Sequence, residues 1–286
     1  MQQFLIPLLF VVVWSTGFII ARAAAPHADL QLFLFLRFLA SAVILGIVAA
    51  ASKAAWPSGR QWAAHVMVGA LMLGVYLTCS YWAVSQGLPA GIMSLLGALQ
   101  PLCTALILVT FAHQRLQART WAGLGVGLGG VALVLAPKLA AGAAGALTWT
   151  TVAAALVSVL AVTTGTLMQK RLSSTSIWSA ASAQNFGAAI VALIAMWSIG
   201  NAHWDGSISL WAALLWAVIG TSVLASTLLV WMVRHGEATK VTALMLLVPP
   251  LAALQAYFLF RETLSPMQLI GFALALGGVL LARSGG

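Results

Sequence analysis

The stretch Leu246–Leu264, LLVPPLAALQAYFLFRETL, decides how this chain is read. It is apolar enough to lie in lipid, yet Pro249 and Pro250 stand near its start. Each proline removes a backbone donor and crowds the preceding turn. In a bilayer the freed carbonyls must find partners inside protein or in a water-filled cavity. The prolines therefore point to a cavity inside a membrane protein.

Composition agrees. The 286 residues are 62% hydrophobic and only 6% charged, with a mean hydropathy of +1.05, against about 25% charged in a soluble domain. A formal charge of +9 fits nucleic acid poorly, because the 13 basic residues are spread thinly between apolar segments and form no basic face. Cys79 and Cys103 both fall in apolar segments, as small buried hydrophobes do.

Ten spans of roughly the 20 residues a bilayer core requires are expected at 3–22, 31–51, 62–85, 90–111, 119–136, 148–170, 175–199, 208–233, 239–260 and 265–283. The N-terminal segment lacks Lys or Arg before a long apolar run, so it reads as a retained first span rather than a signal peptide. With both termini in the cytoplasm, the inner loops and tail hold Lys53, Arg60, Arg115, Arg119, Lys170, Arg171, Arg234, Lys240 and Arg283, and the outer loops hold Arg22, Lys138 and Arg261. That bias orients the chain in its membrane; the localisation expected is the inner (plasma) membrane of a bacterium.

The chain also repeats itself. A shift of 149 lays Trp82 on Trp231, Gly87 on Gly236, Pro101 on Pro250 and Phe111 on Phe260. A shift of 148 lays Gly17 on Gly165, Phe38 on Phe186, and GGVALVL (Gly129–Leu135) on GGVLLAR (Gly277–Arg283). Two five-helix units follow, residues 1–137 and 147–286. Five is odd, so the second unit enters the membrane inverted, as in carriers that work by alternating access. The fold class is all-α, ten transmembrane helices in two inverted repeats around a central cavity.

Four segments carry a family resemblance: WSTGFIIA (Trp14–Ala21), LRFLA (Leu36–Ala40), and the paired endings beginning QPLCTALILVTF (Gln100–Phe111) and PPLAALQAYFLFRETL (Pro249–Leu264). They resemble the EamA domain duplicated in the drug/metabolite transporter superfamily, and within it the aromatic amino-acid exporters of the YddG type. The first ending departs from the pattern in carrying His113 where the family usually has Glu. The resemblance covers nearly the whole chain and implies a ten-helix exporter with its cavity between the repeats.

Other chemistries find little support. GVGLGG (Gly125–Gly130) satisfies GxGxxG, but without a preceding strand it is no dinucleotide site. Gly123xxxGly127 and Gly125xxxGly129 read instead as helix-packing faces. No GxxxxGK[ST] stretch occurs, so ATP hydrolysis within the chain is excluded and no ATPase partner is implied. His27, His65, His113, His203 and His235 lack metal-ligand spacing. No cofactor, metal or enzymatic reaction is expected.

Asp29, Asp205, Glu237 and Glu262 all fall at loops or helix ends, which leaves the bilayer midplane without a carboxylate. A cation pocket or a proton-coupled carrier needs one there. Arg37 is the lone charge within a span, and it is expected to bind helix carbonyls or to snorkel outward. Trp14, Thr16, Tyr76, Ser80 and Tyr81 are the substrate-binding candidates of the first repeat, joined by Gln100. Thr163, Gln169, Trp231 and Gln255 are those of the second. Gly17, Pro101, Gly165, Pro249 and Pro250 are the expected hinges and kinks. Trp56, Trp62, Trp149, Trp178, Trp204 and Trp211 lie near span ends and read as interfacial anchors.

Aromatic faces with amides, hydroxyls and free carbonyls suit a zwitterion with an aromatic side chain. The substrate expected is therefore a neutral or zwitterionic small metabolite, aromatic amino acids first, leaving down its own gradient. Hydrophobic drug export is the nearest alternative. A membrane-embedded enzyme on a lipid-linked substrate is the alternative from another class.

Overall fold

The computed structural model describes residues 2–112, 117–140, 148–172, 176–225, 228 and 247–283. Among these residues the protein is helical throughout, with one isolated bridge between Ala28 and Trp204. The first repeat contains α1 (Gln2–Ser15), α2 (Gly17–Ala24), α3 (Leu30–Ala51), α4 (Gly59–Gly69), α5 (Tyr76–Ser85), α6 (Ala90–Gly97), α7 (Gln100–Ala112) and α8 (Ala118–Ala140). The second contains α9 (Trp149–Gln169), α10 (Ile177–Ile199), α11 (Ile208–Leu215), α12 (Val248–Phe260) and α13 (Pro266–Arg283). Six helical stretches are long and apolar enough to cross a membrane, and four shorter apolar helices join them among the described residues.

Within the described residues the expected spans map onto these helices with three differences; the end of the eighth span and the start of the ninth lie outside the described residues. The first span is broken at Thr16 into α1 and α2. The fourth is broken at Ala98-Leu99 into α6 and α7. In the third span, α4 passes into α5 through a π-helical turn, Ala70–Val75, and in the eighth, α11 runs into another, Trp216–Leu224. Such segments widen the helix and leave carbonyls poorly paired. A shift of 149 carries Ala70–Val75 onto Ile219–Leu224.

The prolines are placed differently from the expectation of mid-helix kinks. Pro101 is the second residue of α7, and Pro249 and Pro250 occupy the first turn of α12. Proline is tolerated there because the first N–H groups of a helix have no intrahelical partner. The fourth span therefore crosses as two half-helices.

Helices from the two halves of the chain pack in pairs. The second span lies against the seventh (α3 on α10), the fourth against the ninth (α6 on α12) and the fifth against the tenth (α8 on α13). In the last pair Gly123, Gly127 and Gly130 let α8 approach the backbone of α13 near Ala275, Gly278 and Ala282. Gly125 and Gly129 face open space, so the second GxxxG series is not a packing face within the chain. Large apolar side chains such as Ile47, Ile194, Phe258 and Leu280 are exposed, while Ser41, Ser158 and Thr163 are buried. That arrangement is the one a bilayer selects.

Candidate functional site

The broken spans and π-turns converge on a cavity of about 540 Å³. Its walls are mainly apolar and aromatic: Trp14 and Phe18 from the first span, Phe38 from α3, Leu73 and Tyr76 from the third span, Val162 from α9. Phe18 and Tyr76 meet edge to face, with centroids 6.3 Å apart. Some of the polar groups enter where the helices are irregular. Thr221 and Ser222 come from the second π-turn; Gly97, Ala98, Gln100 and Pro101 come from the break between α6 and α7. Pro101 offers no N–H to the carbonyl of Gly97, four residues earlier.

Arg37 lines this cavity, 6% exposed. Its Nη1 donates to the Tyr81 hydroxyl (3.0 Å), its Nη2 to Thr221 Oγ1 (2.9 Å) and its Nε to Ser222 Oγ (3.3 Å). Tyr81 in turn donates to the Gly17 carbonyl (2.8 Å) and Thr221 to that of Ala217 (2.7 Å). All of Arg37's partners are neutral. The expectation of carbonyl binding or snorkelling is corrected: hydroxyls of the third and eighth spans hold the guanidinium inside the bundle.

The cavity has direction. Ser179 Oγ bonds the Ala55 carbonyl (2.8 Å), which fixes the ends of α3 and α9 and the start of α10 at one end of the bundle. Lys170, exposed beside the last turn of α9, belongs to the cavity lining at that end. The opposite end is laced by polar contacts. Arg22 pairs with Glu262 (Nε–Oε1 3.3 Å), and its guanidinium lies 6.0 Å from the centre of the Phe260 ring. Asp29 caps α3 at Gln31 N–H (2.8 Å) and accepts from the backbone N–H groups of Asn201 and Ala202. His27 Nδ1 meets Asp205 Oδ2 at 2.6 Å. The Ser207 backbone N–H, then His27, holds the Asp205 carboxyl down at about 2. Asp29, Asp205 and Glu262 lie between helices, as expected of the acids, and all three stand at this end; Glu237 lies outside the described residues.

Of the substrate-binding candidates, Trp14, Tyr76 and Gln100 line the cavity, as do Gly17, Pro101 and Pro249 among the hinge candidates. Two further candidates stand one bond behind: Tyr81 holds Arg37, and Gln255 Nε2 donates to the lining Ser15 (2.9 Å). Thr16 Oγ1 accepts from Trp216 Nε1 (3.0 Å), which is not among the lining residues. Ser80 and Thr163 bond back to the carbonyls of Tyr76 and Val159 in their own helices. Gln169 accepts from Gln184 (2.7 Å) rather than facing the cavity, Gly165 packs against Met72, and Pro250 is not among the lining residues. Trp231, like His235, lies outside the described residues. Sequence reasoning passed over Arg37, Ser94, Thr221 and Ser222 as lining groups. For Arg37 the signal was present, since a lone charge within a span is by default a functional group.

The EamA-like transporter family model matches residues 3–136 and again residues 148–284. The chain is 22% identical to the uncharacterized transporter YvbV of Bacillus subtilis (strain 168) over 276 residues, covering 96% of this chain and 89% of that one. It is 33% identical to protein PecM of Dickeya dadantii (strain 3937) over 127 residues, 44% of this chain and 41% of its relative. A solved crystal structure superposes with a TM-score of 0.66 at 20% identity, over 98% of this chain and 96% of its own, a likeness that shows the fold alone.

Proposed function

The chain belongs to the EamA-like transporter family, and from that premise we propose that it exports neutral or zwitterionic small metabolites, aromatic amino acids first among them. It is a multi-pass membrane transporter and not an enzyme. The observation that carries the substrate reading is the cavity wall: Trp14, Phe18, Phe38 and Tyr76 around uncharged polar groups and Arg37, with Lys170 at one end and no carboxylate among the described lining residues. A volume of about 540 Å³ falls in the range of small-molecule sites. Aromatic rings fit such walls through offset and edge contacts. A cationic drug would face Arg37 without a counter-ion, which disfavours that alternative.

The mechanism proposed is rocking of two inverted repeats about the cavity, with both termini in the cytoplasm of a bacterial cell and the cavity reached from that side. Support comes from the pairing of second with seventh, fourth with ninth and fifth with tenth spans, and from π-turns at equivalent positions. The ties at the Asp29 end then form the closed outer gate. The test is efflux of labelled tryptophan or phenylalanine from proteoliposomes. Trp14→Ala or Tyr76→Ala should slow efflux about tenfold or more, while Trp178→Ala, at a span end, leaves it within about twofold. Equal losses in correctly folded protein would remove the cavity assignment. A cysteine placed at Ser58 should resist membrane-impermeant labelling from outside intact cells.

A further inference from the structure

We propose that Arg37 is the cavity's anion anchor, binding the carboxylate of the substrate, so that the carboxylate rather than the amine is the obligatory polar group. This rests on reading the cavity as the substrate site and names what selects within it.

A guanidinium carries five N–H donors. Arg37 uses three, on Tyr81, Thr221 and Ser222. Two remain, one on each terminal nitrogen, and the residue lines the cavity. Its hydroxyl partners supply dipoles but no countercharge. Holding a cation away from water without an anion is costly, and an arriving carboxylate offsets that cost with a charge-assisted, forked contact that lysine could not reproduce. The site is also set in advance. The Tyr81 and Thr221 hydroxyls spend their own protons on the Gly17 and Ala217 carbonyls, so toward Arg37 they act only as acceptors and fix the plane of the fork. Such preorganisation lowers the ordering cost of binding.

A second polar group points the same way. Ser94 lines the cavity, 3% exposed, and its buried Oγ has no hydrogen-bond partner among the described residues. A buried hydroxyl left unpaired is a standing cost that a ligand oxygen can remove. For an ammonium the cavity offers less: the Gly97 carbonyl, released by Pro101, is a dipole, and no acid is among the described lining residues. Losing the carboxylate from a substrate should therefore cost more than losing the amine.

The test uses the full chain in proteoliposomes and needs no mutation at first. Exchange of labelled phenylalanine is competed with 3-phenylpropionate, which lacks the amine, and with phenethylamine, which lacks the carboxylate. Hexanoate and hexylamine are run beside them by thermal stabilisation of the purified protein. Phenylpropionate should compete within about threefold of phenylalanine, and phenethylamine should be weaker by about 10- to 100-fold, the scale of a hydrogen bond to a charged group. Arg37→Gln should collapse the acid-to-amine ratio, Arg37→Lys should restore part of it, and Ser94→Ala should lower acid binding a few-fold. If the aromatic compounds fail while hexanoate still outperforms hexylamine, the aromatic reading falls and the anchor stands. If no acid outperforms its matched amine in either series, Arg37 is not the anchor.

Discussion

The first and sixth spans carry the same short signal, two hydroxyl residues followed by glycine: Ser15-Thr16-Gly17 and Thr163-Thr164-Gly165. In the first span the hydroxyls of Ser15 and Thr16 bond carbonyls three residues back, those of Val12 and Val13, and the helix breaks there. In the sixth, Thr163 and Thr166 bond carbonyls four residues back, those of Val159 and Val162, and the helix runs unbroken from Trp149 to Gln169. Hydroxyls that bond backbone compete with the helical ladder, and the tighter return favours a turn. The surroundings differ as well. A Cβ added at Gly17 would meet nothing within 4 Å, whereas one at Gly165 would lie 2.9 Å from the Met72 backbone nitrogen. One copy of the motif stands at a helix break beside the cavity and the other at a packing contact, so repeated sequence does not produce repeated packing.

Gly165→Ala should show the largest effect. The methyl collides with backbone rather than a yielding side chain, and overpacking of this kind costs about 1–3 kcal/mol, measurable as a lower Tm in detergent. Gly17→Ala should move the other way. It has room, and alanine favours helix by up to about 1 kcal/mol, so the fold should hold while transport slows several-fold at unchanged substrate affinity. Equal destabilisation by the two substitutions would break the comparison.

The smallest effect lies at the laced end to which α2 leads. Asp205 is held below its ordinary value, at about 2. A carboxyl so depressed contributes stability that is complete above its unfolded value, 3.8, and lost as pH falls through about 2. Amide exchange at Ser207, whose N–H donates to Asp205 Oδ1 (2.8 Å), corrected for intrinsic rates, should be flat from pH 7 to about 4 and rise below it. A rise already at neutral pH would mean that this carboxylate does not secure the loop.

Apolar length alone made the spans legible, because lipid demands it irrespective of partners. The cavity was legible through Pro101 and Pro249, although both begin helices rather than kink them. Trp14, Tyr76 and Gln100 were readable because, with no carboxylate expected at the midplane, aromatic, amide and hydroxyl groups were left to line a cavity. Arg37 was misassigned for a definite reason: its partners Tyr81, Thr221 and Ser222 lie 44, 184 and 185 residues away, and a single helix gives no sign of what faces it. The π-turns left no local signature, since a widened turn depends on neighbouring packing. The unequal fates of Gly17 and Gly165 were hidden for the same reason.

The central claim is that an aromatic-walled cavity with a fixed cation, and no titrating acid among its described lining residues, carries its substrate without protons. Proteoliposomes loaded with tryptophan or phenylalanine, with efflux followed with and without an imposed pH gradient, test it most directly. The account predicts efflux to equilibrium in both cases, with at most a modest change in rate. Accumulation above equilibrium driven by the gradient, abolished by His65→Gln or His235→Gln while downhill flux persists, would contradict it.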